Sequence, residues 1–346
     1  MGKLENKKIR VLVTGHTGFK GSWLSLFLHM KGYKVYGISL RNKHKVNLID
    51  SLLKNKIFEQ SFLININSKL FKKKIKEIRP NIIYHLASQP LVSESYNNPT
   101  NTIATNVIGT QNLLEAIKET SSIKNVLFVT SDKVYKNNDS KKKFRENSAL
   151  GGDDIYSASK SMQDLLISSY HETFFKKKKI SFAILRAGNI IGGGDWSKDR
   201  ILVDIMKKIF LKNLLIIRSP QSTRPWLNIF DIVRGYYLAQ KFIQNRKGIY
   251  IWNFGPNYKS KSVNEILDYY IGKKLLPDNF IKKNKNNLIE KYHLNLNISK
   301  ASKQLKWRAE ISFSKSLKLA FEWYKIFFDN KKLIYGFSKK QLQENI

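Results

Sequence analysis

Apolar residues in this chain fall in short dense runs, separated by longer stretches where they recur every three or four positions. Val126-Leu127-Phe128-Val129, closing the run Ile123–Val129, is apolar at every position, as a parallel strand covered on both faces requires. The same reading places strands at Ile9–Thr14, Lys34–Leu40, Phe62–Ile66, Asn81–Leu86, Ser181–Leu185 and Ile249–Phe254. Helical spacing lies between them: Trp23, Leu24, Phe27 and Leu28 after the first strand, then Thr102–Glu119, then the stretch from Tyr156 onward. Strand and helix in alternation predict an α/β chain built on a doubly wound parallel sheet. Beyond residue 188 the alternation weakens, and the C-terminal part reads as mostly helical. Gly192-Gly193-Gly194-Asp195-Trp196 breaks the pattern and suits a mobile substrate loop.

Length and charge change that picture little. A chain of 346 residues can bury a large core and form two lobes. Lys+Arg number 62 against 26 Asp+Glu, a formal charge of +36, which points first to nucleic acid or an anionic surface. The lysines are dispersed along the whole chain, and neither zinc-finger spacing nor a basic zipper is visible. The charge therefore reads as a compositional bias with weak, salt-sensitive non-specific binding, and no specific nucleic-acid partner is expected. Zero cysteines exclude disulfides, thiolate catalysis and Cys-ligated metals, and no metal is expected. Met1–Lys8 is polar, with no signal-peptide core, and no apolar run approaches the ~20 residues of a membrane span. The chain reads as soluble and cytoplasmic, without a membrane partner.

Candidate chemistry gathers at the ends of the expected strands. Gly15, Gly18 and Gly21 sit between the first strand and its helix, where a pyrophosphate can approach backbone N–H groups and a helix N-terminus. Their spacing is Gly-x-x-Gly-x-x-Gly, and it makes the sheet a candidate dinucleotide-binding Rossmann domain. His16 in that loop reads as a neighbour of the cofactor rather than a catalyst. The second strand ends in Ser39-Leu40-Arg41, without the carboxylate that reads an adenosine ribose, which leaves NAD and NADP both open. Ala87-Ser88-Gln89-Pro90 follows the Asn81–Leu86 strand as a wall for the cofactor, and Asn106 and Thr110 share one side of the next helix. Ser131-Asp132-Lys133 follow the Ile123–Val129 strand. Tyr156 and Lys160, four apart, lie one helical turn from each other. An ammonium beside a phenol lowers it by about 1–3 pKa units from ~10, so Tyr156 is expected to act as a base near neutral pH.

Taken together, these motifs resemble the extended short-chain dehydrogenase/reductase family, and within it the CDP-glucose 4,6-dehydratase branch. The matching pieces are Gly15–Trp23, His85–Val92 with Ser95-Tyr96, Thr105–Thr110, Thr130–Tyr135, Tyr156 with Lys160, and Arg186–Trp196. Thr223–Trp226, Trp252–Pro256 and Ser299–Trp307 extend the likeness over nearly the whole chain. Asp132 stands where epimerases of the family carry a small hydroxyl residue, and Asp132-Lys133 matches the CDP-glucose branch where dTDP-glucose enzymes carry Asp-Glu. Two departures are Asn65-Ile66-Asn67-Ser68, in place of an Asp-containing adenine motif, and the non-acidic end of the second strand.

The resemblance implies an NAD-dependent dehydration of a nucleotide sugar, CDP-glucose above all, in deoxysugar synthesis. Tyr156 would take the C4 hydroxyl proton, with Lys160 lowering its pKa and holding the nicotinamide ribose, and Ser131 bonding the same oxygen. Asp132 would protonate the leaving C6 hydroxyl, and Lys133 would remove the C5 proton or support that step electrostatically. Gly15, Thr17, Gly18, Phe19, Lys20, Leu86, Ala87, Ser88 and Asn106 would contact the cofactor with Tyr156 and Lys160. Asn189, Arg200, Arg218 and Arg224 would bind the substrate, the guanidinium forks matching its diphosphate. It further implies a dinucleotide domain at 1–188 to which 230–256 return, a substrate lobe at 189–229 and 257–346, and a homodimer through the helices carrying Asn106 and Tyr156. The alternatives are another sugar-nucleotide dehydratase or 4-epimerase of the family, or a relative that binds the dinucleotide without turnover.

Overall fold

The computed structural model describes residues 8–41, 47–139, 142–217, 219–277, 281–283 and 294–346. Seven strands form one sheet: β1 (Arg10–Thr14), β2 (Lys34–Ser39), β3 (Gln60–Leu63), β4 (Ile82–His85), β5 (Asn125–Val129), β6 (Ser181–Ala187) and β7 (Gly248–Phe254). Their order is β7-β6-β5-β4-β1-β2-β3, and every pairing is parallel. Val11 of β1 faces Val35 of β2 on one side and Ile82 of β4 on the other. The chain therefore leaves β1 in one direction and returns beyond it in the other. That reversal opens a crevice at the C-terminal ends of β1 and β4, where open α/β sheets bind ligands.

The inner strands are covered on both faces, and this is why they are largely apolar. Val11, Leu127, Val129, Ala183 and Leu185 face a core shared with the C-terminal half. Leu12, Val126, Phe128, Phe182 and Ile184 face the opposite layer of helices. The first core also holds Trp23, Trp252, Trp307 and Trp323, all fully buried. At 150–250 Å² of burial each, such rings contribute roughly 4–6 kcal/mol of gross transfer free energy apiece. They join the sheet to the helix Phe313–Asp329, so the two halves share one core.

Three local features depart from the expected pattern. The third strand is Gln60–Leu63 rather than Phe62–Ile66, because side chains take over the backbone from residue 65 onward. Asn65 Oδ1 accepts from Asn67 N at 2.9 Å, and Ser68 caps the helix Lys69–Ile78 by accepting from Leu70 N at 3.2 Å. The expected helix Thr102–Glu119 begins at Pro99, passes through a π turn at Ala104–Ile108, and ends as Gly109–Lys118. Thirdly, Gly192–Trp196 is clamped rather than loose. A Cβ on Gly193 would stand 2.2 Å from Trp323, Trp23 Nε1 donates to Gly193 O at 2.8 Å, and the Tyr324 hydroxyl donates to Asp195 O. The glycines there serve close packing against a C-terminal aromatic helix. Among the described residues, no helix is long and apolar enough to cross a membrane.

Candidate active site

A cleft of about 930 Å³ opens along the crevice, and nearly all the residues singled out in the sequence line it. Its floor starts where β5 ends. Ser131 caps the short 3-10 turn Asp132–Val134 by accepting from Lys133 N at 3.2 Å, and its hydroxyl donates to Asp132 Oδ1 at 3.1 Å. Gly188, just beyond β6, packs against the same carboxylate: a Cβ there would lie 2.8 Å from Asp132 Oδ2. Any larger residue would displace the acid. Burial pushes the Asp132 carboxyl above the usual range, against the opposing pull of Lys133, Ser131 and Arg224, so the proton is kept to higher pH. Such a carboxyl suits a general acid.

The other wall of the floor is the helix Ile155–Tyr170, started by Asp154. Its carboxylate accepts from Ser157 N at 2.9 Å and from Ser157 Oγ at 2.7 Å. Tyr156 is buried in the first turn and hydrogen-bonded to Ser131. Here the structure corrects an expectation. Burial raises the Tyr156 phenol above its ordinary value, and the opposing influences are the Ser131 bond and the Arg200 charge rather than Lys160. Lys160 is turned along its own helix, where its Nζ donates to Gln163 Oε1 at 3.1 Å. Burial, with the like charge of Lys20, brings the Lys160 ammonium down to about 7. Spacing alone put the two side chains on one face; it did not fix where the ammonium points.

Beneath the floor, Arg186 of β6 and Asp164 of the same helix form a fully buried ion pair at 2.6 Å. Arg186 also donates to the Tyr135 hydroxyl at 2.8 Å, which in turn donates to Asn253 Oδ1 at 2.6 Å. This pair locks the Tyr156 helix to the sheet. Removing one partner of such a pair costs about 3–5 kcal/mol.

Across the cleft lies the glycine loop. Gly15 has φ +75° and a Cβ there would meet Ala87 N at 2.8 Å, so only glycine fits without strain. Gly21 has no room for a side chain against Gly15 O, at 2.1 Å, which seats the helix Phe19–Met30 directly on the loop. Gly18 is exposed at the head of that helix, leaving the backbone open to a ligand. Thr17 closes the far end, its hydroxyl bonded to Ser39 Oγ at 2.8 Å and to Leu40 O at 2.9 Å. Leu86, Ala87 and Ser88 line the wall, with Thr105 rather than Asn106 behind them on the cleft. Asn106 stands one layer back. Its amide exchanges bonds with the backbone of Gln89, at 2.8 and 3.2 Å, and donates to Ser159 Oγ at 2.9 Å. The π turn rotates it inward, a feature that helical periodicity does not reveal.

Long cations form the rim. Lys20 is pulled down to about 8 by burial and by Arg200, while Asp132 and Asp195 act the other way. Arg224 is buried on the short strand Thr223–Arg224, which pairs with Lys261–Ser262. Arg200 reaches Pro90 O at 3.4 Å, and Ser93 Oγ donates to Asp199 Oδ2 at 2.6 Å, joining the two edges of the cleft. Asn189 and Lys133 line it as well. Arg218 lies outside the described residues. His16 is absent from the cleft: it is fully buried behind the loop, bonded to Ser61 Oγ at 2.7 Å and stacked edge-on to Phe58, and burial lowers it to about 4. Gly37 makes space for its ring, since a Cβ there would lie 2.4 Å away.

A family model described as GDP-mannose 4,6 dehydratase matches residues 12–319 of this chain. The chain belongs to that family. A CDP-glucose 4,6-dehydratase of Salmonella typhimurium is 36% identical over 343 residues, 97% of this chain and 95% of the relative. A dTDP-glucose 4,6-dehydratase of Haemophilus influenzae is 24% identical, over 91% of this chain and 98% of the relative. Among solved structures, UDP-glucuronic acid 4-epimerase of Bacillus cereus, in complex with UDP-glucuronic acid and NAD, superposes with a TM-score of 0.79 at 25% identity. That match covers 92% of this chain and 99% of the epimerase. In this GDP-mannose 4,6 dehydratase family member, sequence reasoning missed three residues that shape the floor: Asp154, Gly188 and Gln163. The first carried a readable signal, an acidic cap before a helical run. Gly188 acts through Asp132, distant in sequence, and Gln163 joins Lys160 on its own helix to the distant Thr110.

Proposed function

We propose that this protein is an NAD-dependent sugar-nucleotide 4,6-dehydratase whose substrate is CDP-glucose. The observation that carries the reading is the buried carboxyl of Asp132, held by Ser131 and Gly188 beside Tyr156 at the end of the glycine-loop cleft. The likeness to the Salmonella CDP-glucose 4,6-dehydratase over 97% of the chain supports the same substrate. The loop fits a dinucleotide: Gly15 and Gly21 bring the backbone tight against the helix head, and Gly18 leaves it exposed. NAD held there would supply a hydride acceptor for C4 and, once reduced, a donor for C6.

Tyr156, ionised with the help of the Ser131 bond and the Arg200 charge, takes the proton of the C4 hydroxyl. Lys160 holds the ribose, and Thr17 and Ser39 close the adenosine end. Lys133, as the neutral amine, takes the C5 proton and later returns it, or supports that step by its charge, while Asp132 gives its proton to the departing C6 hydroxyl. Each turnover thus leaves Tyr156 one proton richer and Asp132 one poorer. Ser131, bonded to both, is the side chain through which that difference is restored. Arg224 and Arg200, with Asn189, receive the diphosphate and the sugar. Residues 189–229 and 257–346 act as the substrate lobe around the dinucleotide domain 1–188 and its returning segment 230–256.

Assay of CDP-, dTDP-, UDP- and GDP-glucose for 4-keto sugar formation tests the substrate directly. Preference for any base other than cytosine by tenfold or more in kcat/KM would move the chain to another branch.

We propose too that two copies pair through the helical run 104–118, which carries Asn106, and the helix Ile155–Tyr170. Ile108, Ile155, Met162 and Leu165 are 41–55% exposed along these elements, an apolar face that water does not favour. Sedimentation should give about twice the chain mass of 40.3 kDa at micromolar concentration. A monomer there would exclude this pairing.

A further inference from the structure

Lys160 is nearly inaccessible to water, and its Nζ donates to the side-chain oxygen of Gln163, one turn along its own helix, at 3.1 Å. The other end of that amide is fixed. Thr110 spends its single hydroxyl proton on Asn106 O at 2.8 Å, so toward Gln163 it is an acceptor, and it takes the Gln163 Nε2–H at 2.8 Å. His85 Nε2 lies 3.3 Å from the same Thr110 oxygen, and His85 Nδ1 lies 2.8 Å from Thr14 Oγ1. With Thr110 accepting, the His85 ring carries its proton on Nε2 and receives the Thr14 hydroxyl on Nδ1. The backbone N–H of Ala87 then closes the run on Thr14 Oγ1 at 3.3 Å. Thr14, His85, Thr110 and Gln163 are all fully buried, and burial lowers His85 to about 3, so the ring stays neutral beside Lys160.

We propose that Gln163 is a positioning residue: through this buried chain it holds the Lys160 ammonium in its working place and sets its proton affinity. The chain ties the catalytic helix to the ends of the strands Arg10–Thr14 and Ile82–His85, the two that border the crevice. Its direction leaves no slack, because each donor has one acceptor and the Gln163 oxygen is turned to the lysine. Other charges facing Lys160 are Lys20 across the cleft and Asp164 on its own helix, the latter paired with Arg186 of the strand Ser181–Ala187. Lys20 works against the ammonium and Asp164 for it. A neutral amide between them gives the lysine an acceptor without fixing the proton as firmly as a carboxylate would. The working role of Lys160 rests on the dehydratase reading above.

Two substitutions move the proton affinity in opposite directions. Gln163→Met keeps the volume and removes the acceptor, so Lys160 should lose its proton at lower pH. Gln163→Glu adds a buried negative charge, so Lys160 should keep its proton to higher pH. A hydrogen bond to a charged group is equivalent to about one to two pH units. The alkaline limb of the kcat/KM profile should therefore move down by about that amount in Gln163→Met and up in Gln163→Glu. Thr110→Val, which frees the far end of the amide, should shift it in the same direction as Gln163→Met but less.

The second readout needs no turnover. The pH at which Lys160 becomes acylated by acetic anhydride, followed by mass spectrometry of its peptide, should shift in the same order. If the parent enzyme converts no nucleotide-glucose, the dehydratase reading fails while the acylation series still reports on Gln163. The inference is overturned if Gln163→Glu and Gln163→Met shift the limb or the acylation pH in the same direction. It is equally overturned if both variants lower activity by a constant factor at every pH and leave the acylation pH unmoved.

Discussion

The floor and the rim of the cleft are built by different means. On the floor, Ser131, Asp132, Tyr156 and Lys160 are buried, each hydrogen-bonded to a neighbour before any ligand arrives. On the rim, Lys20, Arg200 and Arg224 are long cations on the first turn of one helix, the cap of another and a two-residue strand. In the proposed reading the floor fixes distances between reacting atoms, and such preorganisation is where catalysis gains most. The rim, in the same proposed reading, supplies charge toward a diphosphate and can yield a little in position without stopping chemistry. Damage to the floor should therefore appear in kcat, and damage to the rim in KM.

The largest effects should come from the floor. Tyr156→Phe removes the proposed C4 base, and no reduced nicotinamide should form even in a single turnover. Asp132→Asn keeps size and a hydrogen bond but loses the transferable proton, so steady turnover should fall by about 10²–10⁴-fold. In that variant reduced nicotinamide should accumulate, because oxidation continues while elimination stalls. Rapid-mixing absorbance of the nicotinamide separates the two. If Asp132→Asn blocks cofactor reduction as fully as Tyr156→Phe, Asp132 positions substrate and does not serve elimination.

A smaller effect is expected at the rim. Arg224→Lys keeps the charge but loses the planar fork, so KM should rise by roughly 10-fold with kcat held within a factor of about three. A drop in kcat of a hundredfold with KM unchanged would place Arg224 in the floor and erase the distinction.

Least in catalytic terms, but specific to the buried side, is the response to acid. His85 and His16 have folded pKa values lowered to about 3 and about 4, against 6.5 when unfolded, and burial is the cause in both. Between those values the unfolded chain binds more protons than the folded one. Their contribution is therefore complete above pH 6.5 and is lost as pH falls toward 3. At about 1.4 kcal/mol per unit the loss is on the order of several kcal/mol. Urea unfolding at pH 7 and at pH 4.5 should show a clearly lower midpoint at the acid value. Equal midpoints would mean that neither ring is held neutral.

What could be read from the sequence follows the same division. The strands were legible because covering both faces of a parallel sheet leaves runs such as Val126–Val129 with no polar position. The glycine loop was legible because Gly15 and Gly21 answer a local steric demand. Tyr156 and Lys160 were legible as a pair by spacing, yet their electrostatics were not. Burial, which raises the phenol and lowers the ammonium, belongs to the packed molecule and leaves no mark at positions 156 and 160. Gly193 looked like a loop residue and Gly188 drew no notice by itself, yet they prove to be close contacts with Trp323 and Asp132, both far away in the chain. His16 looked like a cofactor neighbour because of its place between two loop glycines. The space that Gly37 leaves draws it into the core instead.

The account stands most directly on the path of one hydrogen. CDP-glucose carrying deuterium at C4 should be converted to a 4-keto-6-deoxy product bearing that deuterium at C6, with no net reduced nicotinamide, as read by NMR and mass spectrometry of the product. Deuterium lost to solvent, or one equivalent of NADH released per sugar, would contradict it.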